Sequence, residues 1–137
     1  ILAGVDLSGM DLTGTILTGA DLSSKDLTGT ILTGADLTDA NLAGVDLSGK
    51  DLTGTILTGA DLTDANLIDV NLTSANLQNT DLQSTLLVDA NLSNAILTGA
   101  DLSNAVLTGA ILTGADLENA VLTNTILNCI GHPICIE

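Results

Sequence analysis

The 137-residue chain contains no Phe, Tyr or Trp, and its only basic side chains besides His132 are Lys25 and Lys50. Aromatic residues carry the largest buried areas in ordinary cores and fill irregular space. Without them, a core must be built from uniformly stacked aliphatic side chains, and the hydrophobic content of 45% is enough for one. Two lysines against 17 acids give a formal charge of −15. That leaves too few positive charges to grip nucleic acid through its phosphates. It suits a solvated acidic surface or a basic partner. No run of about 18 apolar residues occurs, so no transmembrane helix and no membrane partner are expected. No charged start followed by an apolar block marks a signal peptide. The sequence begins inside its repeat without Met, as a processed precursor or a trimmed chain would. At this length a single domain is expected.

What is present is a period. Leu recurs at every fifth position from Leu2 to Leu127, 26 in a row. Two residues before each Leu stands a mostly small residue, such as Ala20, Ala35, Ala60 or Ala100. The residue before Leu is usually Asp or Asn, and the residue after it Thr or Ser. Every Gly except Gly131 falls in the next phase, shared with Asn, Asp and Ser. A long α-helix does not fit, because five residues advance about 500° and would wind the Leu side chains around all faces. A continuous strand has period two and would alternate Leu between faces. A short extended piece followed by a corner does fit. The small residue and Leu point inward, the residue between them points outward, and the next two make the turn. Gly, Asn or Asp in the second corner position suits the positive φ of a type II turn. Each pentapeptide is then one side of a polygon, and stacked polygons pair as parallel ladders.

Strings such as Ala20-Asp21-Leu22-Ser23-Ser24 and Ala60-Asp61-Leu62-Thr63-Asp64 resemble the A(D/N)LXX signature of pentapeptide-repeat proteins. The resemblance runs from residue 1 to about residue 128. It implies an all-β, right-handed quadrilateral parallel β-helix, a solenoid with four pentapeptides per coil. Residues 1–128 would form the β-helix and residues 129–137 a C-terminal capping tail. At this repeat length there would be about six and a half coils, roughly 30 Å tall at the ~4.8 Å spacing of paired strands. Leu22, Leu42, Leu62, Leu82 and Leu102 would form one column of the core ladder. The N-terminal half is also internally copied, since Lys25–Leu42 repeats letter for letter as Lys50–Leu67.

With four sides per coil, residues 20 apart stack in columns. One outward column reads Asp21, Asn41, Asp61, Asp81 and Asp101, an acidic ladder that either holds cations or a basic partner or is simply solvated. A second reads Asp6, Asp26, Asp46 and Asn66, then turns aliphatic at Leu86, Val106 and Ile126. With Ile68 and Val88 beside it, that stretch is a candidate interaction patch; scattered surface aliphatics are the plainer alternative. A corner column of Thr13, Thr33, Thr53, Thr73, Ser93 and Thr113 resembles the flat hydroxyl arrays of ice-binding helices, but only one such column is regular. Lys25 and Lys50 fall in the inward phase. Unpaired burial of an ammonium is costly, so each should leave through a corner or pair with Asp.

The tail holds Cys129 and Cys135 around a Gly131-His132-Pro133 turn. The two Cys either close a small disulfide loop over the last coil or remain free thiols. A zinc site would need more good ligands than one His adds, and nothing nearby lowers a thiol pKa for catalysis. A native disulfide implies an oxidising compartment. The bare first coil would expose Leu2, Leu7 and strand edges, inviting a cap or self-association.

No cofactor, metal or catalytic group is implied, because a filled tower has no pocket in which groups converge. The leading expectation is a non-enzymatic structural or protein-interaction module with an unidentified protein partner. The clean Leu core, lack of Phe and two C-terminal Cys resemble thylakoid-lumen or periplasmic members of the family, with a cytoplasmic location as the alternative. The rival function is a DNA-mimicking topoisomerase (gyrase) binding or protection protein. The acidity fits that resemblance, whereas such members carry central Phe and an aromatic dimerising end that this chain lacks.

Overall fold

The computed structural model of the protein describes residues 5–135. Paired positions lie 20 residues apart and run parallel, as in the series Asp21↔Asn41↔Asp61↔Asp81↔Asp101↔Val121. Four pentapeptides therefore complete one coil. Each side contributes a single paired residue before the chain turns. The Leu N–H donates to the coil above, as Leu62 N does to Asp81 O at 2.8 Å, and the following coil donates back, as Asp81 N does to Ala60 O at 2.9 Å. These bonds satisfy the backbone groups that a tower of short sides would otherwise bury unpaired.

The corners close by a second bond. The N–H of each inward residue donates to the Leu carbonyl three positions earlier, as Ala65 N does to Leu62 O at 3.0 Å. The residue before it takes a positive φ, whether glycine (Gly54, φ 65°) or not (Asp64, φ 59°; Asn104, φ 62°; Ser84, φ 59°). Asn and Asp tolerate this conformation better than other side chains, which explains their share of the phase. From Gly9 to Asn124 the pattern has one exception, Ser24, whose φ is not positive.

The interior is a Leu ladder lined by small residues. Leu22, Leu42, Leu62, Leu82 and Leu102 are each 0% exposed. Burial of each Leu contributes about 1.5–3 kcal/mol before chain entropy is subtracted. The inward phase also admits Thr. Thr30, Thr55, Thr80 and Thr85 are buried, and each hydroxyl donates to a Leu carbonyl: Thr30 to Leu7, Thr80 to Leu57, Thr55 to Leu52 and Thr85 to Leu82, at 2.7–2.8 Å. Among the described residues, no fully buried side-chain polar atom lacks a partner.

The two ends differ. Leu2 lies outside the described residues. Leu7 is buried, contrary to the sequence expectation, and the half-open Leu of the first coil are Leu12 and Leu17, which have coils above them only. At the C-terminal end the 20-residue register slips by one, and Ile111 pairs with Ile130. The chain then folds back, Ile134 and Cys135 pack against the core, and a disulfide joins Cys129 to Cys135. Gly131 needs its missing side chain, since it has φ 86° and a Cβ there would meet Thr113 Oγ1.

Candidate functional site

The outward Asp and Asn residues are organised by the hydroxyl residue two positions on. In the motif Asp-Leu-Ser/Thr, one carboxylate oxygen accepts both the backbone N–H and the hydroxyl of the corner residue. Asp101 Oδ1 does so from Ser103 N at 2.9 Å and Ser103 Oγ at 2.6 Å. The same pair of bonds, the corner hydroxyl first and its N–H second, holds Asp6, Asp11, Asp21 and Asp36 below the ordinary carboxylate pKa of 3.8. The sequence reading missed this role, although its signal was the two-residue Asp–Ser/Thr spacing of an Asx turn.

The acidic ladder is therefore internally satisfied on one oxygen of each group. Between Asp81 and Asp101 the Gln83 amide also reaches both carboxylates, at 3.4 and 3.1 Å. Among the described residues, no group of three or more His, Cys, Asp and Glu side chains is placed to hold a metal ion. Five of the six hydroxyls in the Thr column are likewise committed. Thr13, Thr53, Thr73 and Ser93 donate to Asp11, Asp51, Asn71 and Asn91, and Thr33 to the Asp51 carbonyl. Its hydroxyls do not form the free flat array that the ice-binding resemblance requires.

The aliphatic residues gather as one column. Asn66, Leu86, Val106 and Ile126 pair in succession up one side. Leu86 and Ile126 are 41% and 52% exposed, and Val106 is half-buried. Ile68 and Val88, also half-buried, stand at the neighbouring corner one coil apart. The same side thus changes from carboxylates at Asp26 and Asp46 to an apolar strip nearer the C-terminus.

The lysines neither leave through a corner nor close onto a carboxylate. Lys25 Nζ donates to Val5 O at 3.0 Å, and Lys50 Nζ donates to Leu27 O at 2.5 Å and Thr30 O at 3.2 Å. Both are half-buried and line a surface cavity of about 310 Å³ together with Asp26, Thr28, Asp46 and Ser48. The correction has a simple cause: inward lysines meet the carbonyls of Leu and of other inward residues before they reach any carboxylate, and backbone acceptors are as numerous as residues.

In the tail, Cys129 is buried, and His132 Nδ1 accepts from Ile134 N at 3.2 Å, so the imidazole serves the loop turn. No helix among the described residues is long and apolar enough to cross a membrane.

The family model described as pentapeptide repeats matches in eight copies, over residues 1–29, 26–59, 51–84 and 85–124. The structure is similar to that of HetL, a pentapeptide repeat protein involved in heterocyst differentiation regulation from the cyanobacterium Nostoc sp. strain PCC 7120. The TM-score is 0.70 at 33% identity, over 96% of this chain and 64% of HetL, so the chain spans less than two thirds of that relative. It also aligns with a pentapeptide repeat protein from the Arabidopsis thaliana thylakoid lumen (29% identity, TM-score 0.43, 83% of this chain and 69% of that one). A third alignment is with trypsin-treated QnrB1, a plasmid-mediated fluoroquinolone resistance protein (16% identity, TM-score 0.45, 90% of this chain and 73% of that one). No curated protein matches the chain. With repeats matched along most of its length and coils that superpose on those of HetL, the chain belongs to the pentapeptide-repeat family.

Proposed function

We propose that the protein is a non-enzymatic interaction module, a right-handed quadrilateral tower of about six and a half coils that docks a partner protein on one side. The observation that carries this reading is the unbroken apolar column Leu86–Val106–Ile126, set in a ladder position that is acidic lower on the same side. Ile68 and Val88 widen it at the corner. Exposed apolar residues that adjoin one another mark contact surfaces better than scattered ones do. The acidic columns around the strip favour a partner with an apolar centre and a basic rim. A core closed by Leu supplies no convergent catalytic groups. HetL's involvement in regulating heterocyst differentiation fits a protein that works by binding others.

The Cys129–Cys135 disulfide supports an oxidising compartment, a thylakoid lumen or periplasm. Docking is tested with Leu86→Glu/Val106→Glu. The variant should keep the wild-type circular dichroism spectrum while losing self-association in sedimentation and partner capture from its native extract. Unchanged association on both readouts would remove the strip as the docking surface.

A further inference from the structure

The ladder between two coils is open over half a turn. Bonds are intact at Leu22 N to Asn41 O (2.8 Å) and again at Gly34 N to Thr53 O (3.0 Å). Between them, the regular pattern calls for bonds from Ser24, Leu27, Gly29 and Leu32 N–H to the coil above, and from Asp46 and Asp51 N–H to the coil below. None of these six is made. Nor are the pairings Asp26↔Asp46 and Ile31↔Asp51 that the series would include. The core beneath stays closed, since Leu27, Leu32, Leu47 and Leu52 are all buried. The opening is a seam in the backbone, not in the Leu ladder, and the 310 Å³ cavity lies at its mouth.

We propose that Lys50 is the wedge that holds this seam open and makes it the place where the tower yields first. In the regular pattern, the residue after an inward position donates its N–H to the carbonyl 20 positions before that inward residue. At Thr30, Thr55, Thr80 and Thr85 this bond survives, as Ile31 N to Met10 O, Ile56 N to Ala35 O, Asp81 N to Ala60 O and Leu86 N to Ala65 O (2.9–3.1 Å). At Lys50 the carbonyl concerned is Thr30 O. It accepts the ammonium instead, and Asp51 N–H is displaced. Lys25 repeats the substitution one coil lower, taking Val5 O while Asp26 N–H makes no ladder bond. A threonine hydroxyl is short enough to bond its Leu carbonyl without separating the coils; a lysine stem plus ammonium is not. Ser24, the one corner residue without positive φ, lies at the start of the seam and immediately before Lys25. Local openings of this kind are the low-stability units of a solenoid, whose coils contact only their neighbours.

Native-state hydrogen exchange tests the wedge. In the wild type, the amides of Ser24, Leu27, Gly29, Leu32, Asp46 and Asp51 should exchange at least about tenfold faster than those of Leu22, Gly34 and Asn41. Lys50→Thr should place a hydroxyl on Leu27 O, as Thr30 does on Leu7 O, and slow those six amides toward their neighbours' rates. Lys50→Arg keeps a long cationic side chain and should leave them fast. Equal protection across all nine amides in the wild type overturns the proposal, and so does a folded Lys50→Thr variant with unchanged exchange. Should Lys50→Thr not fold, the wild-type profile and Lys50→Arg decide: slow seam amides in either refute the wedge.

Discussion

Asn66 pairs with Asp46 one coil below and donates its Nδ2 to Asp46 Oδ1 across 3.0 Å. The amide faces the uppermost of the three carboxylates on this side, Asp6, Asp26 and Asp46, and among the described residues Asn66 is the only position in this column paired with Asp46. Asn66→Asp should therefore put like charges face to face and lower the midpoint of thermal unfolding by about 2–4 °C at pH 7. Scanning calorimetry checks it. The loss should shrink at pH 4 and in high salt, and a deficit independent of both would mean that the effect is not electrostatic.

Acid should weaken the tower from its N-terminal half. Asp6, Asp11, Asp21 and Asp36 have folded pKa values below 3.8, chiefly through the corner hydroxyls. A depressed folded pKa stabilises above the unfolded value, and that stability is lost as pH falls through the folded one. The midpoint should hold steady from pH 7 to about pH 5 and drop below about pH 4. Removing the hydroxyls that bond Asp11 and Asp36, in a Thr13→Ala/Thr38→Ala variant, should flatten the acid limb. An identical pH profile would show that those hydroxyls do not set it.

Leu62 sits in the middle of the core column and is 0% exposed. Leu62→Ala should cost about 2–5 kcal/mol, with a cavity between Leu42 and Leu82. Leu62→Asp should do more and split the cooperative unit, so that urea unfolding shows two transitions. A single transition at wild-type stability would refute nearest-neighbour stacking as the source of cooperativity.

The disulfide should matter locally. Intact mass after alkylation without reduction should show no label on Cys129 or Cys135, whereas two labels would place the native protein in a reducing compartment. Cys129→Ser/Cys135→Ser should lose about 2 kcal/mol or less. Faster exchange should be confined to the last coil and tail. Loss of the whole fold would instead make the tail a folding nucleus.

The five-residue spacing of Leu was enough to place nearly every core residue, because a side chain that must point inward every fifth position leaves one geometry of side and corner. The quarter-coil geometry came from the family resemblance, since spacing alone does not distinguish three sides from four; the Asp21↔Asn41 pairing supplies that number directly. Lys25 and Lys50 were legible as misfits of phase. Their partners were not, because Val5 O, Leu27 O and Thr30 O are backbone atoms that every residue type carries. The grouping of Leu86, Val106 and Ile126 followed from column arithmetic, but their unequal exposure did not, since spacing carries no information on what covers each side chain.

The copy that carries Lys25 to Lys50 is displaced by 25 residues, whereas one coil is 20. Each duplication with that displacement preserves the inward phase of Leu yet turns the copy by a quarter of a revolution. A feature multiplied this way climbs the tower as a spiral staircase instead of a straight column. The two lysines consequently stand on adjacent walls and meet around one edge. Growth by such copies keeps the core while scrambling any docking face, whereas the C-terminal half, outside the copied block, holds a straight apolar column.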